Sequence, residues 1–442
     1  MPIANPERIV PMAFLAAIAA GTLLLALPVS RAGPGAGAPL VVALFTATSA
    51  VCITGLTAVD TGSYWSPFGQ LVILLLIKAG GLGIMSGATL LGMLISRRLS
   101  LSRRLAARAE LRSLELGDVS AVVRLILAMS LAVEGLLFLW LSLVLRMAHG
   151  EPWPQALWHG LFHAVSAFNN AGFTVYPGGI GAFRADVLVL VPLMLGVVVG
   201  GIGFPVVHEL RTQWRRPVAW SVHTKLTLLG TGLLLLAGTL ATLAGEWRNP
   251  ATLGPEPLPH KLLSAVFHSV MTRSGGFSAH DVGAMTDATL LVTYALMLIG
   301  GGSAGTAGGI KVTTFLLLGF VVWAEIRGEA DTNAFRRRIS HETQRQALAI
   351  VLLAVGIVGA ASALLVSIAG LPMRDALFET ISAFATVGLS TGVTAGLPPA
   401  AHLLLVALMF TGRVGSITIA AALALRVRAS PYRYPEERPI VG

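Results

Sequence analysis

Thr54-Gly55-Leu56-Thr57, Ala171-Gly172-Phe173-Thr174, Gly275-Gly276-Phe277-Ser278 and Val387-Gly388-Leu389-Ser390 are four versions of one short stretch: a glycine, then Leu or Phe, then Thr or Ser. Each glycine follows a phenylalanine in an apolar run (Phe45, Phe162, Phe267 and Phe378) by ten residues, or by nine in the third copy. The glycines lie 117, 104 and 112 residues apart. The chain therefore repeats itself with a period of roughly 110 residues, longer than the common solenoid units. A glycine that ends a short helix inside a hydrophobic protein lets backbone carbonyls turn toward a ligand.

The 442 residues are 55% hydrophobic and 12% charged, about half the charge of an ordinary soluble domain. This predicts an integral membrane protein. The net charge of +10 invites a nucleic-acid reading, but the arginines sit in the gaps between apolar runs, where membrane topology accounts for them. Cys52 stands alone, so one chain can form no internal disulfide. The run at 11–29, preceded by Arg8, could be read as a signal peptide. Its removal would leave the first repeat without its opening helix, so we read it as a span.

Long apolar runs fall near 11–30, 68–95, 121–147, 185–209, 223–244, 286–326, 346–369 and 399–425, each long enough for a membrane span. Between the members of each pair lies a shorter segment, near 40–51, 154–168, 259–272 and 373–384, leading into one glycine stretch. Segments that short can enter the bilayer and return if their irregular half is buried or lines water. The repeat is thus long helix, re-entrant helix, glycine stretch, long helix.

Cations support this order. Arg97, Arg98, Arg103, Arg104, Arg108 and Arg112 fall between the first two repeats, and Arg211, Arg215, Arg216 and Lys225 between the next two. Arg327, Arg336, Arg337, Arg338 and Arg345 join the third to the fourth, and Arg426, Arg428, Arg433 and Arg438 follow the last run. The positive-inside rule places these connections and both termini in the cytoplasm. The four repeats then share one orientation, unlike the inverted halves of many secondary transporters. Four parallel glycine turns around one axis could replace the water shell of a cation with carbonyls.

This pattern resembles the Trk/Ktr/HKT superfamily of potassium transporters over essentially the whole chain. The resemblance implies an all-α membrane fold of four parallel M1–P–M2 repeats, with eight transmembrane helices and four re-entrant pore helices around one pseudo-fourfold pore. The repeats divide at 1–112, 113–217, 218–340 and 341–442. It implies a potassium-binding selectivity filter at Ile53, Thr54 and Gly55; Asn170, Ala171 and Gly172; Ser274, Gly275 and Gly276; and Thr386, Val387 and Gly388. Glycine at all four filter positions, Gly55 included, implies potassium preference. The third copy, Thr272-Arg273-Ser274-Gly275-Gly276-Phe277, departs slightly from the more usual T-R-T-A-G-F.

Two more motifs look like the family's. The stretch Gly300, Gly301, Gly302, Ser303, Ala304, Gly305, Thr306, Ala307, Gly308, Gly309, Ile310, Lys311 resembles its intramembrane gating loop, differing mainly at 302–304. Glycines this dense cannot hold a helix, since each costs up to about 1 kcal/mol, and a broken helix at membrane depth must be buried or line a cavity. Phe410-Thr411-Gly412-Arg413-Val414-Gly415 resembles the arginine-bearing motif of the last repeat. An arginine in mid-membrane is costly and usually functional; the resemblance puts Arg413 beside the loop, and snorkelling to the cytoplasmic interface is the alternative.

One span before the first re-entrant segment matches the Ktr-type membrane subunit. That resemblance implies a homodimer in the lipid of the cytoplasmic membrane, seated on a ring of cytosolic nucleotide-binding (RCK-type) subunits. It leaves sodium dependence open. The chain itself has no G-x-G-x-x-G fingerprint, nor any recurring nucleophile–base set, metal cluster or phosphate loop of an enzyme. The alternative function is secondary transport of another cation or a small solute, which would predict inverted halves and paired broken helices; only the helix at 286–326 reads as clearly broken.

Other residues invite local readings. Lys78 and Glu134 could pair across helices or each bind local groups. His163 and His268 have no metal partners and read as packing or hydrogen-bonding groups. The Cys52 thiol reads as packed behind the filter. Asn169 and Asn170 brace the second filter segment or line the outer mouth. Trp65, Trp153, Trp158 and Trp247 suit an interfacial aromatic belt.

Overall fold

The computed structural model describes residues 6–33, 35, 37–98 and 119–425. The expected arginines at 103–112 and 426–438, both chain ends and the boundary at 112/113 lie outside the described residues.

The protein is mostly helical, with several apolar helices. In chain order these are α1 (Pro6–Leu25), α2 (Leu40–Val51), α3 (Thr61–Tyr64), α4 (Pro67–Arg98), α5 (Val119–Met147), α6 (Trp153–Phe168), α7 (Val187–Ile202) and α8 (Phe204–Gln213). There follow α9 (Val222–Glu246), α10 (Leu258–Met271), α11 (Asp287–Leu298), α12 (Val312–Arg327), α13 (His341–Ala369), α14 (Met373–Phe384) and α15 (Pro399–Leu425). A two-residue hairpin, β1 (Asn333–Ala334) with β2 (Arg337–Arg338), joins α12 to α13.

The four short helices α2, α6, α10 and α14 share a starting signal: Pro39, Pro152, Pro257 and Pro372 occupy their N-caps. Proline at a helix start has no N–H to leave unpaired and its φ is already helical. The marker phenylalanines point into the interior. Phe45, Phe162 and Phe378 are 0% exposed and Phe267 is 1% exposed. Leucines on several other helices turn outward. Leu136 on α5, Leu236 on α9, Leu291 on α11 and Leu352 on α13 are all well exposed, as a chain packed in lipid requires.

Among the described residues, four helical stretches are long and apolar enough to cross a membrane unaided: Pro67–Gly87, Val122–Met147, Val222–Glu246 and His341–Ala369. α7 and α8 meet at a 96° bend and are together apolar and long enough to form a broken span or a re-entrant loop. Of the other expected spans, α1 has 20 residues and α15 has 27, and α11 is an apolar helix of 12 residues. The run at 286–326 divides because its glycines stop α11 at Leu298 and α12 begins only at Val312.

The bend corrects the expectation of one broken helix. Gly203, with φ of 91°, stops α7, and Pro205 lies in the first turn of α8. Glycine beside proline is a helix-breaking pair, and the apolar run masked it. Two tryptophans also differ from expectation. Trp65 is 1% exposed and packs inside, while Trp158 is half-buried and donates to Gln70 Oε1 at 2.9 Å. Trp153 and Trp247 remain exposed.

Close packing of α15 on α14 depends on a missing side chain. A Cβ on Gly412 would run into the backbone carbonyl of Phe384, whereas one on Gly356 of α13 meets nothing. Gly412→Leu should therefore destabilise the protein by at least ~1–3 kcal/mol, and Gly356→Ala should be neutral or slightly stabilising. Thermal unfolding of the two variants in one detergent reads this difference.

Candidate functional site

Each short helix ends the same way. The chain reverses through a residue in the left-handed region two positions before the marker glycine: Ile53 (φ 54°), Asn170 (57°), Ser274 (70°) and Thr386 (48°). The glycines themselves follow with φ of 88°, 68°, 73° and 93°, and the residue between them is not left-handed in any copy. Left-handed backbone is rare outside glycine, and for β-branched Ile53 and Thr386 it is a true outlier. Such strain persists only where the surroundings fix it.

Backbone hydrogen bonds provide the fixing. Thr54 N donates to Ser49 O, Ala171 N to Ser166 O and Val387 N to Ser382 O, each at 2.8 Å. These close the helix ends in Schellman fashion. Ser49 and Ser382 hydroxyls then accept from Gly55 N and Gly388 N at 3.1 Å, and Ser166 donates to Phe173 O at 2.8 Å. The third copy is one residue shorter. There Gly275 N and Gly276 N both donate to Met271 O, at 2.9 and 3.3 Å, and Ser269 turns away to Leu235 O. The shorter turn still delivers Gly276 to the same place.

The four glycines meet. A Cβ on Gly55 would strike the carbonyl of Ala171, and one on Gly172 would lie 2.7 Å from Gly276 Cα. One on Gly276 would lie 2.8 Å from Val387 O, and one on Gly388 would strike Thr54 O and lie 3.1 Å from Gly55 Cα. The contacts close a ring in the order 55, 172, 276, 388. No side chain fits at these four positions, so each glycine meets its neighbours with backbone alone.

Around the outside, hydroxyls and carboxylates hold the following residues. His163 Nε2 lies 2.9 Å from Thr174 Oγ1, and Glu379 accepts from Ser390 Oγ at 2.5 Å, Thr391 N at 3.1 Å and Thr394 Oγ1 at 2.6 Å. His268 bonds Thr293 at 3.1 Å. The two histidines are thus hydrogen-bonding groups, and Cys52 is fully buried. In the surface loops, Asp60 accepts from Gly178 N at 2.9 Å and Ser63 N at 2.8 Å. Partial burial raises its pKa, but these hydrogen bonds outweigh it and hold the carboxyl below its ordinary value. Burial and then the Glu151 carboxylate push the Tyr176 hydroxyl upward, so it stays a donor to Glu151 Oε1 at 2.7 Å.

The glycine-rich segment 300–309 packs directly against the ring's supports. Its N–H groups find the carbonyls left unpaired where α7 ends: Gly302 N donates to Gly201 O at 2.8 Å and Thr306 N to Gly200 O at 3.1 Å. Thr306 Oγ1 donates to Asn170 Oδ1 at 2.7 Å. Ser274 Oγ donates to Thr386 O at 2.5 Å and accepts from Gly308 N at 3.0 Å. Three cations donate to the segment's carbonyls: Arg413 to Thr306 O at 2.5 Å, Arg273 to Gly300 O at 2.8 Å and Lys311 to Ala307 O at 2.6 Å. Arg413 is 2% exposed, so it does not snorkel.

The structure therefore brings together all four glycine triples, the 300–309 segment and Arg413. It adds Arg273, which sequence reading passed over. A second arginine among apolar residues was the available signal, but it sat inside a motif read for its glycines. Gly203 is a further addition, because a Cβ there would lie 2.6 Å from Ser303 O.

The sequence model of the TrkH family, described as cation transport protein, matches residues 4–429. The chain belongs to this family. It is a family of membrane cation transporters, not enzymes. The chain is 37% identical over 438 residues to the Ktr system potassium uptake protein B of Bacillus subtilis, covering 99% of this chain and 97% of that one. It is 33% identical over 445 residues to the potassium/sodium uptake protein NtpJ of Enterococcus hirae, with 99% and 97% covered. Its fold is similar to the potassium transporter TrkH from Vibrio parahaemolyticus, with a TM-score of 0.71, 16% identity, and 97% and 86% covered.

Ser274 joins three parts of this family member's centre: its own turn, the Thr386 turn and the glycine segment. Ser274→Ala should cost about 1–3 kcal/mol, since it leaves buried partners unsatisfied, and should lower the melting temperature in detergent. An unchanged melting temperature would show that these bonds carry no weight.

Proposed function

We propose that the chain takes up potassium across the cytoplasmic membrane through a channel-like pore. Four parallel helix–re-entrant helix–helix repeats surround it, both termini face the cytoplasm, and the four glycine triples form its selectivity filter. The observation that carries this reading is the closed ring of four glycines, each preceded by a left-handed residue two positions earlier. Alternating backbone handedness turns successive carbonyls to one side, where they can replace the hydration shell of a dehydrated cation. The names of the relatives from Bacillus subtilis and Enterococcus hirae support potassium as cargo, and the latter supports sodium as a second, coupled or competing ion.

The segment 300–309 serves as the gate. It lies against Asn170, Ser274 and Thr386 of the filter turns, and it gathers Arg273, Lys311 and Arg413 into one cationic group. Positive charge beneath a cation filter opposes passage electrostatically, and a glycine-rich backbone can hold a second arrangement at small cost. A regulator drawing on α12 after Lys311 would move the gate. The name of the Bacillus subtilis relative, a Ktr system protein, supports further subunits in the system; the arrangement proposed here is a homodimer seated on a cytosolic nucleotide-binding ring that acts as the regulator. The second broken helix, at Gly203, gives the secondary-transporter alternative its best support. However, that break seats the segment 300–309, which favours the channel-like reading.

Gly55→Ser should raise sodium uptake relative to potassium severalfold in a potassium-transport-deficient bacterium. Unchanged selectivity at normal expression would count against the filter. Deletion of 302–306, or Arg413→Ala, should raise potassium flux in proteoliposomes and weaken its dependence on any regulator. Unaltered flux in both variants would place the gate elsewhere.

A further inference from the structure

One residue stands three before each ring glycine, where the short helix has ended and the chain reverses; in three copies it is the helix cap, and in the third copy it follows the cap, Thr272. In chain order the four are Cys52, Asn169, Arg273 and Ala385. Cys52 and Ala385 carry no long polar side chain, and Arg273 reaches the glycine segment. Asn169 points away from the pore instead. Its Nδ2 donates to Glu134 Oε1 of α5 at 2.9 Å and to Val165 O at 2.8 Å. The backbone of Gly81 on α4 closes against its Oδ1, where a Cβ would collide.

Glu134 is 6% exposed and accepts from three groups. Lys78 Nζ of α4 lies 2.7 Å from Oε1 and 2.6 Å from Oε2, and Ser130 Oγ lies 3.1 Å from Oε1. Lys78 also donates to Ser130 Oγ at 2.6 Å. A carboxylate at membrane depth is tolerated only when paired. The pair therefore neutralises Glu134 and aims an oxygen at Asn169. Three elements, α4, α5 and the end of α6, converge on one side-chain amide beside the second filter triple.

We propose that Glu134, held by Lys78, is a positioning residue that sets ion selectivity through Asn169. The proposal rests on the reading of the glycine ring as the filter. Asn169 is covalently joined to Asn170, whose left-handed turn launches Ala171 and Gly172. Fixing the Asn169 side chain fixes where that turn begins, and so the position of the second quadrant's carbonyls. Cation discrimination depends on how many carbonyls converge and how firmly they are held. Lys78 plays no direct part; it makes a buried carboxylate affordable.

Two double variants separate this role from simple packing. K78M/E134Q removes both charges but keeps an amide oxygen for Asn169. K78M/E134L removes the acceptor as well. Both replace a buried ion pair with uncharged groups, a change that proteins often tolerate. Uptake of potassium and sodium is measured in proteoliposomes of the purified full chain, together with melting temperature. K78M/E134Q should keep the wild-type uptake ratio. K78M/E134L should lose potassium preference severalfold at similar melting temperature, and Asn169→Leu should match it. A wild-type ratio in both K78M/E134L and Asn169→Leu overturns the proposal, whatever the melting temperatures. In that case a shifted ratio in Gly55→Ser leaves the filter reading standing, and an unshifted one removes the filter reading too.

Discussion

Backbone carbonyls at membrane depth must be paired with N–H groups or turned toward something that replaces them. At the centre of this protein four chain reversals come so close that no Cβ fits between them. Glycine is required there twice over, for the left-handed φ and for the space. Everything around the ring serves to hold four strained turns in register: proline-started helices, buried phenylalanines, serine hydroxyls under the turns, and carboxylates behind them.

The glycine segment 300–309 extends the same constraint one layer further. A helix broken within the membrane exposes its own N–H and C=O groups. Here the donors are taken by the unpaired carbonyls at the end of α7, and several acceptors by Arg273, Lys311 and Arg413. Two helix breaks thus satisfy each other. Disturbing one must leave the other unpaired, so the arrangement favours discrete states over gradual deformation.

Much of this was legible in the sequence. The glycine triples, the marker phenylalanines and the alternation of long and short apolar runs located the ring before any coordinates. Arg413 was legible as a residue near the glycine segment, and it donates to Thr306 O there. Other features were written in residues whose neighbours could not be known. Pro39, Pro152, Pro257 and Pro372 start the short helices at one equivalent place, a repeat signal hidden by unequal loops. Gly203-Phe204-Pro205 announced a break, but continuous hydropathy concealed it. Trp65 looked interfacial because it ends an apolar gap, yet the short helix α3 folds it inward. The Lys78–Glu134 pair was one of two even readings, because which faces of α4 and α5 meet is a tertiary fact.

The most direct test of the central claim is to locate the cargo ion itself. Crystals of the protein grown with rubidium or thallium, both electron-rich substitutes for potassium, would show the ion by anomalous scattering. The account predicts a peak on the axis of the ring, bounded by carbonyls from all four triples at 53–55, 170–172, 274–276 and 386–388. A bound ion found only elsewhere, with none within the ring at saturating concentration, would contradict it.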